Sequence, residues 1–344
     1  MLTSLPGVRL PLIQAPMAGV QGVELALAVS GAGALGSLPC AMLPHDALRS
    51  ALALIQAQSA TVNLNFFCHM PPAPDPRRDA AWRSALQPYY RELGLDPEQQ
   101  VAAPSREPFS DAVADLLAQF RPAVVSFHFG LPSAALLARV RSWGARVMSS
   151  ATTVAEARWL EAHGVDAVIA QGLEAGGHRG MFLTKDTSTQ VGTLALVRQI
   201  VRAVQLPVVA AGGIADAQGV AAAMALGAAG VQVGTAFLLC PEATTSAVHR
   251  AALQSEAAGH TALTRVFSGR PARGIMNRIM REMDAAGTAV PAFPLASAAL
   301  APLRQTAERQ GSGDFTPLWS GQNASGCAAV PAAELTRALA RGFS

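Results

Sequence analysis

Lysine is nearly missing from this chain: of its 26 basic residues only Lys185 is a lysine. A Schiff-base aldolase or a pyridoxal enzyme needs a lysine projecting from a strand end, and Lys185 follows a loop, so both classes are set aside. Charge of either sign is scarce, at 14% of residues with a net of +3. No run of arginines builds the basic face that a nucleic acid requires. The four cysteines, Cys40, Cys68, Cys240 and Cys327, stand far apart with no CxxC pair, against both a disulfide framework and a cysteine-held metal. Tyrosine occurs only as Tyr89 and Tyr90. No apolar stretch reads as a membrane span, and Met1 to Leu12 has prolines but no apolar core of signal-peptide length. A cytoplasmic protein without membrane partners is the expectation.

What is abundant is alanine, glycine and short apolar runs. The chain is 51% hydrophobic over 344 residues, which suits buried parallel strands under covering helices, in one barrel with an elaboration or in two ordinary domains. Two runs organise the rest: Leu206 to Ile214, ending in Gly212-Gly213, and Gly230 to Ala236, containing Gly234-Thr235. Between them Asp216 to Leu226 reads as a helix capped by Asp216. A strand, helix, strand unit with glycines at both carboxyl ends is the phosphate-gripping quarter of a (βα)8 barrel. It predicts a phosphorylated ligand.

The remaining units follow in order. Leu12 to Met17 is a first strand and turn with a helix over Gly22 to Ser30. Ala34 to Leu38 is the second strand, with a helix over His45 to Gln58, and Thr61 to Asn65 is the third. From Cys68 to Pro108 the pattern breaks into prolines and charges, with one helix over Ala80 to Leu93, and an excursion of that length usually covers a site. Ala123 to His128, Ala145 to Ser150 and Ala167 to Ala170 are strands four to six, followed by helices over Ser133 to Trp143, Thr153 to His163 and Gly192 to Val204. Alternation with short links means parallel strands and right-handed crossovers. Residues 1–240 thus read as the α/β barrel and 241–317 as a helical lid inserted between strand eight and helix eight. Residues 318–344 close the chain, with Pro331 to Arg341 as the last barrel helix.

Polar residues fall where strands end: Asn63, His128, Gln171 and Gln232, with Gly176, Gly177, Gly212, Gly213 and Gly234 around them. Amide side chains and free backbone groups suit a flat, hydrogen-bonding ring system, and FMN fits, its phosphate at Gly213 and Gly234-Thr235. Any single glycine here reads better as a tight turn; the paired signal is what favours a phosphate. His128, between Phe127 and Phe129, is as readily a packed core residue as a base that desolvation keeps neutral, and His178 is its rival. Acidic pairs spaced for a metal are absent from the strand ends, so no metal is expected.

Gln14-Ala15-Pro16-Met17, Asn63-Leu64-Asn65, Ser126-Phe127-His128-Phe129-Gly130 and Gln171-Gly172-Leu173-Glu174-Ala175-Gly176-Gly177-His178 resemble the nitronate monooxygenases, formerly called 2-nitropropane dioxygenases. The resemblance covers nearly the whole barrel and continues in Ala211 to Ile214 and Gln232 to Thr235. The glycine motifs are shared with enoyl and quinone reductases of the same fold; the Ser126 to Gly130 motif looks like class I monooxygenases. The resemblance implies FMN held by Ala15, Pro16, Met17, Asn63, Gln171, Gly176, Gly177, Gly212, Gly213, Gln232, Val233, Gly234 and Thr235, with His128 as catalytic base. It implies an alkyl nitronate such as propionate 3-nitronate, oxidised with dioxygen to a carbonyl compound and nitrite, by a monomer or homodimer. His178 and Phe293 are assigned to the substrate side. Where a Pro-Tyr-Pro element is common in the family, this chain has Ala292-Phe293-Pro294, so a phenolic contact is replaced by an apolar ring. The competing readings are an FMN-dependent NAD(P)H:quinone or enoyl-thioester reductase and a non-catalytic FMN-binding barrel.

Overall fold

The computed structural model describes residues 2–98, 106–285 and 290–343. Strands β1 (Leu12–Gln14), β2 (Gly36–Pro39), β3 (Val62–Phe67), β4 (Val124–His128), β5 (Arg146–Ala151) and β6 (Ala167–Gln171) come first. The two-residue β7 (Gly177–His178) then interrupts the series before β8 (Val208–Ala211) and β9 (Gly230–Val233). All but β7 form one parallel eight-stranded sheet in the order β1-β9-β8-β6-β5-β4-β3-β2. It closes where Leu35 N donates to Leu12 O (2.9 Å) and Gln14 N to Leu35 O (3.0 Å), making the (βα)8 barrel.

Both faces of the strands are buried, which is why they read as continuous apolar runs rather than alternating ones. The outer face packs under helices such as Val154–Ala162 and Ala217–Ala225, whose starts are fixed by Thr153 and Asp216 accepting from the backbone N–H groups of Glu156 and Gly219. The inner face carries Ile13, Val124, Met148, Ile169 and Val209, and from below Leu2, Leu5 and Val8 pack into the same cluster. Apolar side chains therefore fill the amino end of the barrel, and the cleft lies at the carboxyl end, where the polar strand-end residues are.

Between the excursion and β4 there is one helix more than the sequence pattern shows. Asp111–Phe120, capped by Ser110, is the third barrel helix. The first excursion helix starts at Pro76, earlier than its apolar pattern, because Asp75 accepts from Arg78 N (3.0 Å) and proline suits the first turn. The insertion after β9 is not all helical. Besides Ala247–Leu253, Arg278–Ala285 and Ala296–Arg309 it contributes an antiparallel hairpin, β10 (Thr261–Thr264) and β11 (Ala272–Ile275), and β11 pairs with β7. The glycine-rich loop after β6 is thereby stitched to the insertion.

Excursion and insertion form one cap. Trp82, Leu86, Tyr89 and Tyr90 bury against Ile279, Met280, Leu300 and Leu303, and every polar handle they carry is used: Trp82 Nε1 donates to Ala296 O (3.2 Å), Tyr90 Oη to Ala299 O (2.6 Å) and Tyr89 Oη to Glu282 (2.6 Å). The chain's two tyrosines are thus structural fasteners. The helix Ala332–Ala340 then closes the barrel. No helix among the described residues is long and apolar enough to cross a membrane.

Candidate active site

The open end of the barrel is a cleft of about 1400 Å³, counting the part open to solvent. One side of it is made of backbone. Gly212 and Gly213 sit at φ +119° and +71°, a region that glycine enters at little cost. A Cβ on Gly212 would stand 2.8 Å from Thr193 Oγ1 and 3.0 Å from Ala175 N, and one on Gly176 would stand 2.5 Å from Gly321 N. Side chains brace these loops from behind: Glu174 Oε2 accepts from Thr193 N and Oγ1 (both 2.7 Å), and Thr235 Oγ1 accepts from Gly321 N (2.9 Å). Asn323 Nδ2 donates to Gly213 O (3.1 Å). The front of the cradle is main chain together with Thr235, Asn323 and Gln232, whose Oε1 is buried with no hydrogen-bond partner. An orphaned buried acceptor costs about 1–3 kcal/mol, so it calls for a donor from a bound molecule.

The opposite side is made of side chains. His128 ends β4, with Nδ1 3.0 Å from Ser150 Oγ and Nε2 3.2 Å from the His178 carbonyl. A carbonyl only accepts, so Nε2 carries the ring hydrogen and the Nδ1 lone pair faces Ser150. Burial pushes the imidazole down to about 3, the Arg270 and Arg179 charges adding to it against the pull of the His178 carbonyl. The ring is therefore neutral at ordinary pH. Burial likewise lowers His178, whose Nε2 lies 2.7 Å from Ser268 Oγ. Around them Phe67, Phe129 and Phe293 form an aromatic cluster, with centroids 4.9–6.1 Å apart.

Ala15, Pro16, Met17, His128, Gln171, Gly176, Gly177, His178, Gly212, Gly213, Gln232, Gly234 and Thr235 all line this cleft. Three of the expected residues stand behind it. Asn63 is fully buried one pleat below the mouth, bonded to Ser37 Oγ (3.0 Å), and Asn65 takes the place on the wall. The Val233 side chain packs into the layer between strands and helices, and its carbonyl accepts from Ala15 N (2.7 Å). Phe293 is buried behind the wall, against Phe67, His69 and His178. Gln171 lines the cleft, yet its amide is spent on the tongue after β6: Nε2 donates to His178 O (2.9 Å) and Oε1 accepts from Gly180 N (2.7 Å).

Sequence reasoning missed Ser150, Asn65, Arg106 and Trp319, all on the wall. Ser150 and Asn65 were within reach, since each ends a strand on the face that points inward. Arg106 and Trp319 belong to connecting segments without periodicity, and no local pattern marks them.

A barrel closed at its amino end, with a glycine-built cradle and a neutral strand-end histidine facing one cleft, defines an enzyme of the cofactor-binding (βα)8 class. Comparison with known proteins sharpens this. The family model for nitronate monooxygenase matches residues 1–342. A nitronate monooxygenase of Pseudomonas aeruginosa is 43% identical, covering 98% of this chain and 97% of its own, and one of Paraburkholderia phytofirmans is 41% identical over 99% and 94%. Among solved structures, a nitroalkane oxidase from Streptomyces ansochromogenes superposes with a TM-score of 0.89 at 36% identity, over 98% of this chain and 96% of that one. FabK from Thermotoga maritima superposes with a TM-score of 0.74 at 26% identity, over 99% and 95%. The chain belongs to the nitronate monooxygenase family, whose members are flavin-dependent oxidoreductases.

Proposed function

We propose that this protein oxidises alkyl nitronates, such as propionate 3-nitronate, with dioxygen to a carbonyl compound and nitrite, using FMN. The reading is carried by one observation: a histidine held neutral, with a fixed tautomer, faces the cleft that holds the glycine cradle and the orphaned Gln232 acceptor. Gly212, Gly213, Gly234 and Thr235 would hold the phosphate, and Ala15 to Met17, Gly176, Gly177 and Gln232 the ring system. Gln232 Oε1 fits an N–H of such a ring. When bound, FMN supplies the redox step.

The chain supplies the rest. A nitronate arrives deprotonated and electron-rich, so the protein need only orient it and keep water away, and the aromatic cluster does the latter. A neutral nitroalkane must first lose a carbon-bound proton. His128 Nδ1 is the one ring atom with a lone pair to take it, and Ser150 Oγ, itself on the cleft wall, positions that lone pair. His178 contributes the carbonyl that fixes the His128 tautomer. The test is to assay the purified protein with propionate 3-nitronate for nitrite release and oxygen uptake. Nitrite formed with oxygen consumed is the expected result; a yellow protein that releases none would overturn the proposal.

A further inference from the structure

We infer that residues 320–327, the stretch ahead of the last barrel helix, are a strap that holds FMN by its phosphate end, an inference that rests on the cofactor reading above. The strap is fastened to the loops after β6, β8 and β9 alike. Gln322 N donates to Glu174 O (2.9 Å), Asn323 Nδ2 to Gly213 O (3.1 Å) and Gly321 N to Thr235 Oγ1 (2.9 Å). Its own bend is held by Ser325, whose N–H and hydroxyl both donate to Asn323 Oδ1 (3.2 and 2.6 Å). Main chain meets main chain with no room between: a Cβ on Gly321 would stand 2.8 Å from Glu174 O, and one on Gly326 would stand 2.0 Å from Ala215 O.

Thr235 is gripped at both of its oxygens. The hydroxyl accepts from Gly321 N, and the carbonyl accepts from Cys327 Sγ (3.1 Å), a thiol that burial pushes up to about 11 and so keeps protonated as a donor. A hydroxyl has one hydrogen beside its lone pairs. With Gly321 N on a lone pair, the Thr235 O–H is left to donate into the cleft that Thr235 lines, where a phosphate would accept it in a charge-assisted bond. The strap is also part of the outer wall. Gly212, Gly213, Ile214 and Asn323 line the cleft on one side and, on the other, a groove against the helices Thr193–Val201 and Ala217–Ala225. One thickness of chain separates the proposed phosphate position from that groove, and a lifted strap would open it.

The experiment dilutes flavin-loaded protein, carrying FMN or, after exchange, riboflavin, which lacks the phosphate, and times the return of free-flavin fluorescence. Asn323→Ala should speed FMN release about 2- to 10-fold, the worth of one hydrogen bond, and Cys327→Ala less. Gly326→Ala, which drives the strap off Ala215 O, should speed it roughly 10- to 100-fold, as overpacking against main chain does. Riboflavin release should stay at the parent rate in all three. Equal acceleration of both flavins would mean that the strap supports the ring or the fold as a whole, and unchanged FMN release would mean that it holds nothing; either overturns the inference. Should Gly326→Ala fail to fold, Asn323→Ala decides alone, because that side chain is exposed and its truncation leaves the core untouched. A parent that releases FMN and riboflavin at one rate would remove the phosphate cradle itself, the reading on which the strap rests. A strap that retains FMN in a protein releasing no nitrite would leave this inference standing and remove only the activity.

Discussion

On the β8 and β9 side of the cleft the wall is mostly main chain, from Gly212 and Gly213 to Gly234 and Thr235, braced from behind by Glu174 and Thr193 and flanked by Asn323, whose amide donates to Gly213 O. Opposite, it is side chain: Phe67 and His128 from β3 and β4, Ser150 from β5, His178 from β7 and Arg106 from the excursion. The first half is tightest at Gly176 and Gly212, where a Cβ meets backbone or a bonded hydroxyl within 3.0 Å, whereas at Gly213 and Gly234 the nearest atoms are side-chain carbons 3.2–3.3 Å away. In the second half ring packs on ring, so one ring can replace another with small adjustment. On the proposed reading FMN is served by the rigid half and the nitronate by the adaptable one.

The sharpest way to break this contrast is Gly213→Asp. It sets a carboxylate where the phosphate is proposed to sit, and like charges brought together cost several kcal/mol. Flavin content after purification should fall close to zero; full occupancy would place the phosphate elsewhere. His128→Asn comes next. It should keep FMN and lose about 10²–10⁴-fold in turnover of neutral nitroalkanes, with a smaller loss on nitronates. Equal loss on both substrate forms would make His128 a binding residue, and no loss on either would return it to the packed core and promote His178.

Acid offers a third comparison, because the depressed histidines cluster on the side-chain half. His128 and His69 are held at about 3 and about 4, His178 is well below its ordinary value, and His249, beside Trp319, is held at about 4. Below about pH 6.5 the unfolded chain takes up protons that the folded chain does not, so stability is complete above that value and lost as pH falls towards 4. Going from about pH 7.5 to about pH 5 should lower the unfolding free energy on the order of 1–2 kcal/mol for fully buried His249 alone. Denaturant midpoints in the parent and in His249→Gln would show it; identical pH dependence in the two would contradict it. The smallest effect is expected from Phe293→Tyr. An added hydroxyl in the aromatic cluster should change KM for small nitronates about 2- to 10-fold, the worth of one hydrogen bond, with FMN content unchanged. Kinetics matching the parent would show that the ring stands too far behind the wall to be felt.

The same contrast explains what could be read from the chain. Glycine-ended strands announce themselves, because only glycine permits those turns, so the barrel, its seventh and eighth strands and the cradle were legible. His128 was legible as a polar residue ending an apolar strand. Asn63 was chosen over Asn65 because strand ends are uncertain by a residue or two, and in a strand that shift moves a side chain from the floor to the wall. Arg106, Trp319 and the stitching of β7 to β11 depend on where two long insertions fold back. The helix Asp111–Phe120 was hidden by the prolines and charges before it. Insertions place residues through tertiary packing, here Trp82 and Tyr90 against the helix Ala296–Arg309, and no local period records that.

The most direct single measurement is anaerobic rapid mixing of the flavin-loaded protein with propionate 3-nitronate in one syringe or NADH in the other, followed by flavin absorbance. Rapid bleaching with the nitronate and none with NADH is the expected result. Bleaching by NADH with none by the nitronate would contradict nitronate oxidation and make the protein a reductase built on the same barrel.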